Sequence, residues 1–592
     1  MARPAAERLL VAALVAVLAG AAVTGAEPRQ SAAAGDLFVS RAEVGRYGGQ
    51  LVINLRAEPK TLNPVTAVDI VSRDVIRRTI GDLIHINRET QRTEPGLAKA
   101  WTMSPDGRRF TLTLRRGVRF SDGEPFDADD VEFSFRVYSN EKVNSPQRDL
   151  LIVGGKPIDV RKIDQYTVEF TLAEPYAAAE RLFDSVAILP RHLLERAYTE
   201  GRLSGDWGLT TPAAQMAGLG PFRFKETVPG DRIVLERNPY YWKADRAGNR
   251  LPYLDRLVFV LVANEDTQTM RFQSGEADIT SRMNPSNFGL LARAGERAPY
   301  KLLDLGAGLE YSFVFFNLND LAPNALPEVA RKQRWFRQVA FRRAVSAAID
   351  RDAIVQLVYR GRATPLSGHV PPGNALWINH SIPKPVRSIP NARRLLQMSG
   401  FSWRPDGTLV DGGGDVVDFT ILTNAGNTER AQMATIIQDD LKQLGMSVHI
   451  VTLELRAMLD RLLTTHDYEA SILGLGGGDA DPNSELNVWL SSGGTHLWNP
   501  EQSRPATPWE AEIDTLMQRQ LSTLNAGDRK RMYDRVQALV AENLPLIPLV
   551  SPNVLVGANK ALGNFRPAVL DHQTLWNVEE LFWRQQRPSA TP

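Results

Sequence analysis

GLAKAWTMSPDGRRFTLTLRRGVRFSDGEPFDADDV (96–131) holds two reversals, one clean strand and one helix start within 36 residues. Ser104, Pro105, Asp106 and Gly107 make the first reversal, with proline and glycine where a tight turn wants them. Phe110, Leu112 and Leu114 alternate with threonine, the period-2 signature of a half-buried strand. A second turn runs from Ser121 to Pro125. Asp127 then stands ready to cap a helix carrying Val131, Phe133, Phe135 and Val137. Ala98 to Trp101 closes a helical or loop segment. Tyr166 to Leu172 alternates again, so 67–205 reads as a mixed block with room for its own small core.

The flanks extend the pattern. Gln50 to Leu55 reads as a strand, and the two prolines of EPKTLNP (58–64) keep the next stretch out of a helix. Phe222 to Phe224, Ile233 to Leu235 and Leu257 to Val262 read as strands, and Thr267 to Gln273 as a helix. Downstream, Phe313–Phe316, Phe419–Leu422, Val448–Leu453 and Ala470–Leu475 alternate with helical stretches at 336–359 and 429–444, Asp350 opening a second helix inside the first of these. Gly445 stops the stretch at 429–444. Helices at 509–523 and 527–542 follow, then an apolar run, Leu546 to Val550, whose Pro548 demotes it to an edge strand or crossing segment. Strand and helix alternating in this way give an α/β fold.

The chain has 592 residues, so two or three domains are expected. It holds 69 Lys+Arg against 68 Asp+Glu and no cysteine. The missing cysteine excludes disulfides, cysteine-ligated metal, a cysteine nucleophile and a lipidated N-terminal cysteine. The balanced charge gives no general reason to bind nucleic acid or an anionic membrane. Residues 1–26 form a basic start, an apolar run Leu9–Val23 and a small-residue cleavage site, the pattern of a secretory signal peptide. Removing them takes Arg3, Arg8 and Glu7 and leaves 67 basic and 67 acidic residues. Residues 27–47 read as a flexible lead-in. An exported, soluble, cysteine-free chain is expected in the periplasm and not as a lipoprotein.

Motifs for chemistry are absent: no phosphate loop, no zinc-protease helix, no nucleophile elbow. The eight histidines are scattered singly. The stretch GLGGGDADPN (474–483) imitates a calcium loop at Asp479, Asp481 and Asn483. Ser484 and Leu490 then stand where glycine and a bidentate glutamate belong. Its glycines would let a ligand approach bare backbone, with Asp479 supplying one charge. Trp377, Trp403, Trp489 and Trp498 lie in Gly/Pro/Asn-rich surroundings, where aromatics can line a pocket.

The order of these segments resembles the family 5 extracellular solute-binding proteins, the oligopeptide- and dipeptide-binding components of ABC importers. The 96–131 stretch carries the resemblance most specifically. LNP (62–64), GLGPF (218–222), NPYYW (238–242), FN (316–317) and RRAVSAAID (342–350) follow in family order, from about 48 to 570. The resemblance implies a two-lobed, class II-like periplasmic-binding-protein fold with a hinge and an inserted domain. Lobe one would be 48–66, 206–300 and 549–585, the insert 67–205, and lobe two 301–548. It implies no cofactor and no catalysis; the family also takes up nickel, and the sparse histidines argue against a metal here. The implied partners are an inner-membrane ABC permease with its ATPase, and the binding protein itself would be a monomer. The ligand's main chain would lie as an added strand against Glu58, Pro59 and Lys60 and against Leu475, Gly476, Gly477 and Gly478, its amine on Asp479. The family usually places Trp, Cys or Ala and a Tyr around that aspartate. The glycines and Ala480 here empty volume and leave oligosaccharide, opine or another non-peptide solute as alternatives. A secreted hydrolase, or a chaperone or sensor on the same fold, are the rivals in function.

Overall fold

The computed structural model describes residues 36–321, 325–476 and 479–585. The chain builds two α/β lobes joined by short crossings. The first lobe is organised by an eight-stranded mixed sheet. Its order is Phe222–Val228, Arg232–Arg237, Arg256–Leu261, Gln50–Leu55, Ile279–Thr280, Val550–Asn559 and Tyr300–Ala307, with Ala363–Pro365 also paired to Val550–Asn559. Gln50–Leu55 runs parallel to Arg256–Leu261 over six residue pairs and pairs parallel with Ile279. Such a central strand must be apolar on both faces, and Leu51, Val52, Ile53 and Leu55 are all buried.

The quoted stretch 96–131 folds inside this lobe. Arg109–Leu114 is central in a four-stranded antiparallel sheet, between Ala98–Met103 and Thr167–Thr171, with Asp159–Asp164 beyond. The helix Ala128–Ser139 covers it. Asp127 caps that helix: its carboxylate accepts from Asp129 N at 2.9 Å, and Asp130 reaches back to Asp127 N at 3.1 Å. Phe135, Phe170 and Phe183 meet edge to face beneath it. The insert has no separate core. Its buried residues run without a break through Leu97, Leu219 and Trp242 to Leu257 of the large sheet.

The second lobe has a five-stranded sheet ordered Ser447–Leu453, Asp418–Asn424, Ala470–Leu475, Tyr311–Phe316 and Leu546–Pro548. Asp418–Asn424 runs parallel to both its neighbours; Tyr311–Phe316 runs antiparallel to Ala470–Leu475. Pro548 sits on the outermost strand, where its missing N–H costs no ladder bond. Two clusters pack the faces: one around Phe316, Phe336, Phe341 and Phe419, the other around Phe313, Trp489, Trp498 and Val536. Gly445 has φ +82°, and a side chain there would meet Gly407 O at 2.2 Å, so the turn after Thr428–Lys442 requires glycine.

Three expectations need correction. Ala98–Met103 is a strand, not the end of a helical or loop segment; only Ala98 in it is buried, so the alternation is weak. The lobe boundary expected at 301 falls inside Tyr300–Ala307, which belongs to the first lobe's sheet. The described part of the lead-in is tied down: Phe38–Val39 pairs with Lys243–Ala244, and Asp36 pairs with Lys99 at 2.6 Å. Residues 1–35, with the signal-peptide expectation, lie outside the described residues. No helix among the described residues is long and apolar enough to cross a membrane.

Candidate functional site

The chain passes between lobes at Ala307 to Tyr311 and at Pro548 to Val550. Both crossings leave the second lobe at one end of its sheet, which the strand directions make the carboxyl end of Asp418–Asn424 and Ala470–Leu475. In the first lobe, Gln50–Leu55, Arg256–Leu261 and Ile279–Thr280 are parallel, and the turns that follow them share one side. Ligand sites of α/β sheets form beyond the carboxyl ends of strands. The candidate site is therefore the cleft between the lobes. Ile86, Leu309, Ala480 and Leu570 make a small apolar contact across it.

On the second-lobe wall, the turn after Ala470–Leu475 carries two aspartates with separate tasks. Asp481 is buried and accepts from Arg529 Nη1 and Nη2 at 2.7 and 2.6 Å, both within the lobe. Asp479 keeps 30% of its side chain exposed and pairs bidentately with Arg181 of the first lobe, on the helix Ala179–Ser185, Nε to Oδ2 at 2.6 Å. Asp479 also accepts from Ala480 N at 2.7 Å. The amine-anchor position expected at Asp479 is thus filled by a guanidinium of the same chain. Leu475 and Gly476 stand at the sheet's end; Gly477 and Gly478 lie outside the described residues.

Two charges beside this turn escaped the sequence reading. Arg430 begins the helix Thr428–Lys442 and lies over Gly474, where an added Cβ would meet its Nη2 at 2.8 Å. It donates to Asn424 Oδ1 at 2.7 Å, and no carboxylate among the described residues is within ion-pair distance. Burial lowers its pKa, while Glu310 works in the opposite direction. Glu310 is exposed on the crossing segment, next to Gly476, and its carbonyl accepts from Ser551 Oγ at 2.7 Å. The available signal was position: a first-turn arginine directly after a strand's carboxyl end.

On the first-lobe wall, Glu58 and Lys60 are exposed and Pro59 is buried. Glu58 accepts from Gly230 N at 2.8 Å, and Lys60 N donates to Ser72 Oγ at 2.9 Å. That backbone donor is therefore already engaged. Near Leu570, Arg282 approaches Asp571 at 3.9 Å, and His572 Nδ1 lies 2.7 Å from Asp74. Burial pushes His572 down to about 4 despite that partner.

The tryptophans do not form a pocket. Trp489 and Trp498 are 1% exposed and Trp377 8%, all in one apolar cluster of the second lobe. Their polar edges are satisfied internally: Trp489 Nε1 donates to Glu485 at 2.9 Å and Trp498 Nε1 to Glu510 at 3.0 Å. Trp403 is partly buried elsewhere, donating to Leu444 O at 2.7 Å. Loop-like composition marked irregular backbone here, and that backbone folds over a core. Asp82, His85 and Asp184 bring ligand atoms within 4.8 Å of one another. Arg77 and Arg88 already answer those carboxylates, at 2.6–2.8 Å. The cluster is a balanced ion network, with no unmet negative charge to call for a metal.

The sequence profile of the bacterial extracellular solute-binding proteins, family 5 Middle, matches residues 92–496. The chain belongs to this family. Family 5 members are substrate-binding proteins of ABC importers, extracellular or periplasmic, and not enzymes. A probable ABC transporter-binding protein of Deinococcus radiodurans is 29% identical over 547 residues, covering 88% of this chain and 91% of the relative. The periplasmic alpha-galactoside-binding protein of Rhizobium meliloti is 26% identical, with 84% and 75% covered. The oligopeptide-binding protein AppA of Bacillus subtilis is 24% identical, with 90% and 92% covered. The AppA structure in complex with a nonapeptide matches at a TM-score of 0.66 and 23% identity, covering 92% of this chain and all of that one. The two-lobed periplasmic-binding-protein fold is thus this chain's fold.

Proposed function

We propose that this protein captures short zwitterionic peptides between its lobes and delivers them to an inner-membrane ABC permease with its ATPase. The observation that carries the reading is the pair of opposite charges flanking bare backbone at one sheet end. Arg430, partly buried and with no carboxylate within ion-pair distance among the described residues, suits a peptide's terminal carboxylate. Exposed Glu310 suits the amine. Beside them Gly476 is exposed, with nothing nearer to an added Cβ than the Glu310 Cβ at 3.9 Å, and its backbone is open to an extended main chain, which binds by hydrogen bonds without reading side chains. AppA, an oligopeptide-binding relative, supports the class.

The alpha-galactoside-binding relative keeps a second reading in view. Neutral sugars are commonly held on aromatic faces. The tryptophans that sequence composition offered for that task are committed to the second lobe's core, so the geometry favours peptide. In this reading the chain is exported by its N-terminal segment, works as a periplasmic monomer, and, lacking cysteine, carries no lipid anchor.

The test is a thermal-shift screen of protein unfolded and refolded to strip carried-over ligand. The panel holds di- to pentapeptides, oligosaccharides and nickel. A ligand that binds only the folded state raises Tm. A rise with peptides is expected; a rise with galactosides alone would replace the substrate and keep the transporter role.

A further inference from the structure

One buried cation of the first lobe has no carboxylate beside it. Arg78 stands just past the helix Ile70–Ile76 and is 2% exposed. Its Nη1 donates to Leu575 O, and its Nε is buried with no hydrogen-bond partner among the described residues. Burial pushes its pKa down to about 10; Asp74 and Glu579 oppose this from beyond ion-pair distance, while Arg77 and Arg88 add to it. A buried charge left unpaired is costly, so such a group calls for a partner. The neighbouring charges already have theirs. Arg77 meets Asp82 and Asp184 at 2.6 and 2.7 Å, Arg88 meets Asp184 at 2.8 Å, and Lys243 meets Glu579 at 2.7 Å. Asp74, the carboxylate that acts most strongly on Arg78, is 29% exposed and is engaged by His572 at 2.7 Å. Arg78 lines a cavity of about 50 Å³ with Arg77, Arg88 and Lys243, and with the carboxylates Asp82 and Glu579. Four cationic side chains thus face two carboxylates, and Asp184 behind the wall still leaves one positive charge over. A buried water needs about 10–15 Å³, so the space takes one ion of halide size with a water or two. His85, Lys243, Trp576 and Glu579 also line a second cavity of about 720 Å³, whose rim includes the exposed Arg41 and Glu43 and gives a way in from solvent.

We propose that this cavity is a binding site for one small monovalent anion of halide size, held by Arg78. The anion accepts a charge-assisted hydrogen bond from the Arg78 Nε–H, the donor that nothing else takes. It sits where three separate stretches of the first lobe meet, 77–88, 241–243 and 572–579, and so fastens the end of the chain to the start of the inserted domain. A single ion suffices because a single guanidinium is unmet. The site is independent of which solute the cleft takes.

Thermal unfolding under anion exchange tests the site. The full mature chain is exchanged into sodium gluconate, whose anion is too large for the cavity, and the gluconate is then replaced stepwise by chloride or bromide at constant ionic strength. Screening is held fixed in this way, so exposed ion pairs contribute no trend. An ion that binds only the folded state raises Tm by mass action. Chloride and bromide are each expected to raise Tm by several degrees along a saturating curve, and Arg78→Met should show no such curve. A wild type indifferent to the exchange, or an equal rise in Arg78→Met, would overturn the site and leave the cavity to water. Bromide-grown crystals of the wild type decide the matter without a variant, should Arg78→Met fail to fold. An anomalous peak within hydrogen-bond distance of Arg78 Nε is expected, and a cavity without one would overturn the proposal.

Discussion

Asp481 and Asp479 stand two residues apart on one turn and are held by arginines from opposite sides of the molecule. Arg529 reaches Asp481 from the helix Ala526–Asn543 of the same lobe, donates to Gln520 Oε1 at 2.8 Å, and lies 4.9 Å from the Trp377 ring centre. Both members of that pair are about 5% exposed. Arg181 reaches Asp479 from the first lobe, and that pair is partly open to solvent. Residue type and spacing are the same for the two aspartates. The difference is whether the partner moves with them. A partner in the same lobe makes a fixed anchor that shapes the turn, and a partner in the other body makes a contact that ligand and domain motion can change.

The comparison breaks most visibly at Asp481. Asp481→Ala leaves Arg529 buried and unpaired, and removing one member of a buried pair costs about 3–5 kcal/mol. Urea unfolding followed by the tryptophans of the second lobe should show that loss. A cost below about 1 kcal/mol would remove the anchor role.

Glu485, on the same turn, sharpens the contrast through pH. Burial pushes its carboxyl up to about 7 from an ordinary 4.5. Between those values the folded chain keeps a proton that the unfolded chain releases. Its contribution to stability is therefore complete below about pH 4.5 and falls away as pH rises through 7. Glu485→Gln should gain on the wild type between pH 5 and pH 8, by an amount of order 1–3 kcal/mol, in unfolding at the two pH values. A constant difference would contradict the shift.

Asp479→Ala should cost least, under about 1 kcal/mol of global stability, since a partly exposed pair contributes little. A loss equal to that of Asp481→Ala would erase the distinction between anchor and interdomain contact.

Much of the fold was legible because it rests on local rules. The alternation in Arg109–Leu114, the cap at Asp127, the helix opening at Asp350 and the proline on the edge strand each follow from neighbours a few residues away. The site was legible only in place. The turn after Ala470–Leu475 does lie at the cleft, but the partner of Asp479 is 298 residues distant, and no spacing rule reaches it. The tryptophans misled because glycine and proline around them describe backbone shape, whereas burial depends on what packs above. A signal for their burial was present in Glu485, four residues before Trp489, and in Glu510, each placed to satisfy an indole N–H.

The central claim is that the cleft reads a peptide's charges with Arg430 and Glu310 while Asp479 is held by Arg181. Calorimetric titration of a binding peptide and its C-terminal amide, against the wild type and Arg430→Gln, tests it most directly. A charged hydrogen bond of about 1.5–3 kcal/mol predicts a loss of roughly 10- to 150-fold for the amide on the wild type. The free acid should lose as much on Arg430→Gln, and the amide should lose nothing further on the variant. Equal affinity for acid and amide on the wild type would contradict the account.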